Sequence, residues 1–306
     1  MAVADWFRIV LLSFVWGGSF FFIEVMLGAM PPMTSVLGRL MVGLIGLLIL
    51  LKILGYRLGT LREQWQPFAF IGLINNAIPF TLISFGQTEI TGSLASIINA
   101  TTPIMTALVA HRLTTDERLS CNKILGIGFG FSGVLVLFGP AAMEGGASLL
   151  GMTAGLTATI CYAFGSVYSK RLKENAPLIN ATGQVLYGTC WMIPMVMIID
   201  RPWTIPMPGL APWLAVFAIG LLSTTLAFYI YFRVLKTAGA NNVVLVTFLV
   251  PVSASGLGII FLEEVLALQH VIAYLLIVSG LAIIDGRIVA KLGELILKSQ
   301  SSGKSR

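Results

Sequence analysis

The chain has 306 residues, of which 57% are hydrophobic and only 10% charged, and its mean hydropathy is +0.93. Soluble domains carry about 25% charged residues, so this chain lacks the charge to coat a water-facing surface. A soluble enzyme is excluded. The net charge of +6 is what the cytoplasmic loops of a polytopic membrane protein require and calls for no nucleic acid.

A helix crosses roughly 30 Å of hydrocarbon with about 20 residues. Apolar windows of that length predict spans at 6–28, 34–54, 67–87, 93–112 and 123–140, then at 150–169, 180–199, 213–235, 241–262 and 268–289. The runs are continuous rather than alternating, so they read as helices and not as barrel strands. The first window is expected to be a retained span rather than a signal peptide. Asp5 precedes it, Glu24 interrupts it and no small-residue cleavage site follows.

In chain order, the first two spans hold the clear ionisable residues at membrane depth, Glu24 and Arg39. Each costs about 2.5–3.5 kcal/mol at a helix centre on insertion scales. They stand near the same ends of adjacent helices and are expected to be able to pair. One reading is an interhelical salt bridge. The other is a coupling or gate role: a proton-linked carboxylate, and an Arg whose planar fork binds a substrate carboxylate.

The third span carries Asn75 and Asn76, followed by Pro79, which frees a backbone carbonyl and bends the helix. In the fourth, Asn99, Thr101 and Thr102 precede a second kink at Pro103. Gly126, Gly130 and Gly133 stripe the fifth, permitting close helix contact within a monomer or across a homodimer. Ser223 in the eighth span, and Thr247 with a third kink at Pro251 in the ninth, repeat the polar pattern. Such groups can simply glue helices, at about 0.6 kcal/mol per bond, or line a cavity. Aromatic walls are available from Trp16, Phe80, Tyr162, Phe228, Tyr229 and Phe248. The substrate-binding candidates are therefore Trp16, Asn75, Asn76, Phe80, Asn99, Tyr162, Ser223, Tyr229, Thr247 and Phe248. Gln87 and Glu89 at a helix end read as solvated, and Glu117 and Glu264 as charges stabilising helix N-termini.

No cofactor or metal is expected. Cys121, Cys161 and Cys190 lack metal spacing, and His111 and His270 are isolated. The four aspartates, Asp5, Asp116, Asp200 and Asp285, are scattered over span ends, against the grouped acids that a phosphotransferase needs to hold a metal.

Of the 19 Lys and Arg residues, 17 fall in the terminal segments and loops of one side. Only Arg201 lies in an opposite loop, and Arg39 lies within a span. Basic loops stay cytoplasmic, so both termini are expected there, the carboxyl end as a loose basic tail near the anionic leaflet.

The two halves resemble each other. A slide of 148 places Ile71-Gly72-Leu73 on Ile219-Gly220-Leu221, Asn75 on Ser223, Phe80 on Phe228 and Pro103 on Pro251. Nearby slides place Trp16 on Tyr162 and Glu117 on Glu264. Five spans per copy is an odd number, so the second copy inserts the opposite way round. The expected fold is an all-α polytopic membrane protein of ten helices in two inverted five-helix repeats. Residues 1–143 and 144–290 form the repeats and 291–306 the tail. Inverted repeats are a recurrent device of secondary transporters, with the substrate site between the copies.

Trp16-Gly17, Arg39, the region from Gly92-Ser93-Leu94-Ala95 through Pro103 to Ala107, and Phe261-Leu262-Glu263-Glu264-Val265-Leu266 followed by Ser279-Gly280 resemble the drug/metabolite transporter superfamily, EamA type. The resemblance implies a 5+5 transporter with a central cavity opening alternately to either side, the fifth and tenth spans being peripheral. It implies small metabolites as cargo, amino acids and their derivatives among them, often exported. One departure is Glu24, where many relatives carry Lys. The expected function is thus a secondary transporter of the inner membrane, moving an amino-acid-like metabolite outward, with protons as the candidate coupling ion. Its rivals are an uptake carrier for a vitamin or other nutrient, an intramembrane enzyme and a non-transporting receptor.

Overall fold

The computed structural model describes residues 3–114, 120–144, 147–239 and 245–285, without the side chains of 140–144, 147 and 285. Glu117 and the 291–306 tail lie outside the described residues. Among the described residues, ten long helices follow one another: α1 Val3–Leu27, α2 Pro32–Ile53, α3 Trp65–Gly86, α4 Gly92–Leu113, α5 Cys121–Glu144, α6 Ala147–Ser169, α7 Pro177–Ile198, α8 Leu210–Ala238, α9 Leu245–Leu262 and α10 Leu268–Asp285. Nine are long and apolar enough to cross a bilayer, and the apolar stretch of α10 is shorter, Leu268–Ile284. No strand occurs among the described residues. The molecule is an all-α polytopic membrane protein.

Local sequence explains the helix ends. Pro32 and Pro177 open α2 and α7, where a missing N–H costs nothing. Thr91 caps α4 by accepting from the Leu94 N–H at 3.3 Å. Gly239, at φ +82°, ends α8 in a backbone conformation that side-chain-bearing residues rarely adopt. The amino end of α2 is capped from elsewhere: the Asp200 carboxylate, just past α7, accepts from both the N–H and the hydroxyl of Thr34 at 2.7 Å. Replacing Asp200 with Ala removes that cap and its charge at the helix dipole. It is expected to cost about 1 kcal/mol, read as a lower melting temperature in detergent with the α-helical signal intact.

The helices pair in a pattern. α1 packs on α8 and α9, α2 on α7 and α8, α3 on α6 and α7, and α4 on α6 and α9, while α5 packs on α10. Exchanging each helix with the one five places along maps this set of pairings onto itself. Helices α3 and α8 also share an irregularity. Each widens into a π-helical stretch, Leu73–Ala77 and Leu221–Leu226, whose starts are 148 residues apart. Such a stretch releases the regular i→i−4 bonds, a device common at functional sites. Its occurrence in α8, which has no proline there, shows that such a stretch does not require one. The fourth helix breaks at Ala100–Thr101, just before Pro103, whereas α9 runs unbroken through Pro251.

The glycine stripe of α5 is used within the chain. A Cβ on Gly126 would lie 2.5 Å from the Gly280 carbonyl, and one on Gly133 would lie 2.7 Å from that of Ala273, both in α10. Only bare backbone allows this approach.

Candidate functional site

Helices α1–α4 and α6–α9 surround a central cavity of about 360 Å³. None of its described lining residues comes from α5 or α10. In α1 the cavity face is Trp16, Ser19, Phe20 and Ile23, the i, i+3, i+4, i+7 spacing of one helical stripe. The π-helical stretches present Asn75 and Asn76 from α3, and Ser223 and Thr224 from α8. Broken α4 contributes Asn99, Thr102 and Pro103, and α9 contributes Thr247 and Pro251.

Eight of the ten predicted binding residues therefore meet at one void: Trp16, Asn75, Asn76, Phe80, Asn99, Tyr162, Ser223 and Thr247. Ser223 is partly spent, its hydroxyl donating to the Val15 carbonyl at 2.7 Å and tying α8 to α1. Tyr229 and Phe248 are not on the wall. Tyr229 accepts from the Arg233 guanidinium at 3.0 Å, and Phe248 packs into the apolar core while its carbonyl accepts from the Tyr274 hydroxyl. Sequence reasoning missed Ser19, Gln184 and Ser166 on the wall. Gln184 was findable, being an amide inside an apolar run like Asn75.

Arg39 is only 9% exposed and reaches the cavity. Its guanidinium carbon lies 4.0 Å above the Phe80 ring, and Nε donates to the Thr224 hydroxyl at 3.4 Å. Among the described residues no carboxylate pairs with it. The expected Glu24–Arg39 bridge is thus absent. Glu24 instead turns to the start of α4, where its carboxylate accepts from the Gly92 N–H at 3.1 Å. Gln87, expected in solvent, is buried and donates to the Phe20 carbonyl at 2.9 Å. Glu264 does stabilise a helix N-terminus, but that of α4 rather than of the helix following it. It accepts from the Ser93 N–H at 3.2 Å and from the Ser93 hydroxyl.

Several polar atoms around the cavity lack partners: the side-chain oxygens of Ser19, Asn75 and Asn99, and the Asn76 amide nitrogen. An unmade hydrogen bond costs a buried polar group about 1–3 kcal/mol. Among the described residues the wall therefore offers one fixed cation, two free amide oxygens and a free amide N–H, framed by Trp16, Phe80 and Tyr162. No group of three His, Cys, Asp or Glu able to hold a metal occurs among the described residues.

A helical membrane protein whose paired helices surround a central cavity, with polar groups set in a largely apolar wall, has the architecture of a carrier. The sequence profile of the EamA-like transporter family matches residues 6–139 and again 149–285, and the chain belongs to that family. It is similar to the uncharacterized transporter YoaV of Bacillus subtilis, at 23% identity over 89% of this chain and 94% of that protein. It is also similar to protein PecM of Dickeya dadantii, at 26% identity over 89% of each. The uncharacterized inner membrane transporter YedA of Escherichia coli is 25% identical over 81% of this chain and 79% of its own length. A crystal structure with 20% identity matches the fold with a TM-score of 0.68, over 96% of this chain and all of the other.

Proposed function

We propose that the protein is an alternating-access secondary transporter of the inner membrane that exports an amino-acid-like metabolite. The observation that carries the substrate class is Arg39. A buried guanidinium without a carboxylate partner is expensive, and it faces the same cavity as the free oxygens of Asn75 and Asn99. A zwitterion supplies what is missing on both sides, a carboxylate for Arg39 and an ammonium for the amide oxygens. Export is our reading of direction and rests on the resemblance to drug/metabolite transporters; the inner membrane is supported by the YedA relative.

In the same reading, residues 1–143 and 144–290 are two repeats inserted in opposite senses, with both termini cytoplasmic. The two separate family matches, the pairing that survives exchange of halves and the one-sided basic loops support it. Glu24 serves in coupling or gating rather than in binding.

The test is an efflux and resistance screen in cells overproducing the protein, followed by flux of the hits in proteoliposomes. Hits are expected to carry both a free carboxylate and an amine. Flux only of compounds without a carboxylate would remove Arg39 from the reading. Accumulation instead of efflux would reverse the direction.

A further inference from the structure

At the end of the bundle opposite the basic loops, three elements converge on the first turn of α4. Glu24 arrives from α1 and bonds the Gly92 N–H. Glu264 arrives from the α9–α10 connection, where Glu263 takes a left-handed φ of +55° and the Glu264 N–H bonds back to the Gly258 carbonyl at 3.1 Å. The two carboxylates thus accept from consecutive N–H groups, those of Gly92 and Ser93. Gln87, only 6% exposed, joins them from the end of α3. Its amide nitrogen and the Glu24 carboxylate both stand 3.2 Å from the point where a Cβ on Gly92 would sit.

The chemistry of this cluster is short of one hydrogen. Glu264 Oε1 and Gln87 Oε1 are both buried acceptors without a donor. No Lys, Arg or His pairs with either glutamate among the described residues. The titratable groups on the surrounding elements are Glu89 and Glu263, both exposed, and partly buried His270 at the start of α10. A helix N-terminus carries roughly half a positive charge, enough to favour one carboxylate and too little to hold two in contact.

We propose that Glu24 and Glu264 together bind one proton and act as a latch closing this end of the transport pathway. With the proton shared, one carboxyl donates to the other carboxylate or to Gln87, and α1, α4 and α9 are tied together. The seal around them is dense: Ile23, Met26, Met30 and the α4 residues from Ser93 to Ile98 are all buried. When the proton leaves to water, two carboxylates face each other across one helix end, and the junction opens. The closed state thus binds one proton more than the open state, so closure weakens as pH rises, by up to tenfold per pH unit. The proposal rests on the carrier reading, because it makes α1 and α4 the walls of a pathway.

Hydrogen exchange of the full-length protein in lipid nanodiscs tests it without a substrate, following the amides of residues 24–30 and 92–96 from pH 5.5 to 8.5 after correction for intrinsic exchange. Protection is expected to fall about tenfold per pH unit over part of that range. Glu24→Gln and Glu264→Gln, whose amides donate as a shared proton would, should each stay protected and lose the pH dependence. In Gly258→Ala the new Cβ would lie 2.5 Å from the Glu264 carboxyl carbon. It should lower protection while leaving both acids present. Flat protection in the wild type, or a titration that persists in both Gln variants, would overturn the latch, as would a dependence on sodium in place of pH. Absence of flux for every screened compound, alongside a pH-dependent exchange, would sink the carrier reading and leave the proton site standing.

Discussion

Replacing Arg39 with Met is expected to raise the melting temperature of the ligand-free protein and to weaken flux of a carboxylate-bearing substrate, through a higher KM. The two effects have opposite signs because Arg39 has no acid to pair with. Desolvating a guanidinium costs several kcal/mol. The contacts that offset this are a ring 4.0 Å away and one long bond to Thr224, each worth about 1–2 kcal/mol. Met fills similar space without the charge, so folding gains. Binding loses instead, because a charge-assisted bond to the substrate carboxylate is worth about 1.5–3 kcal/mol, or about ten- to a hundredfold in KM. Arg39→Lys keeps the charge but not the fork and should fall between the two. Thermal unfolding in detergent and flux in proteoliposomes read both effects. A lower melting temperature with unchanged flux would make Arg39 a structural residue.

The axial half of the site was legible in the sequence, and the angular half was not. An apolar run interrupted by an amide marks depth in the membrane, which singles out Asn75 and Asn99, and the 148-residue repeat carries the same depth to Ser223. Depth leaves rotation open. Glu24, Tyr229 and Phe248 each follow by one residue a side chain that does face the cavity, namely Ile23, Phe228 and Thr247. One residue is about 100° of turn at 3.6 residues per turn, enough to aim a side chain at a neighbouring helix. Glu24 and Arg39 lie on consecutive helices that pack mainly on other elements, α1 on α8 and α9 and α2 on α7 and α8, so the two side chains turn to different partners. The π-helical stretches add to the difficulty, since an extra residue in a turn shifts the register of everything after it. No proline announces the one in α8. Gln87 escaped for another reason: a polar residue at a span end looks solvated, and only its packing against α1, where it donates to the Phe20 carbonyl, buries it.

Gly165→Ala, a change of one methyl group, is expected to cost most of the transport activity through Asn75. The added Cβ would sit 1.8 Å from Asn75 Oδ1 and 2.5 Å from its Cγ, well inside contact distance, so the Asn75 amide cannot stay where it is. The cheapest relief turns the amide away, breaking its bond to Gln184 at 3.4 Å and moving the free oxygen that we assign to the substrate. Overpacking of this kind costs about 1–3 kcal/mol. Asn75→Ala alone should leave stability near the wild type, because the amide it removes has an unsatisfied oxygen, and should still impair flux. In the double variant the clash has no target. Stability should then recover by about 0.5–3 kcal/mol relative to the sum of the single changes, while flux stays low because the amide is gone. Melting temperatures of the four proteins give the coupling, and flux in the same preparations gives the function. If the two stability changes simply add, Gly165 and Asn75 do not touch as described; if Gly165→Ala transports like the wild type, the Asn75 oxygen does not bind the substrate.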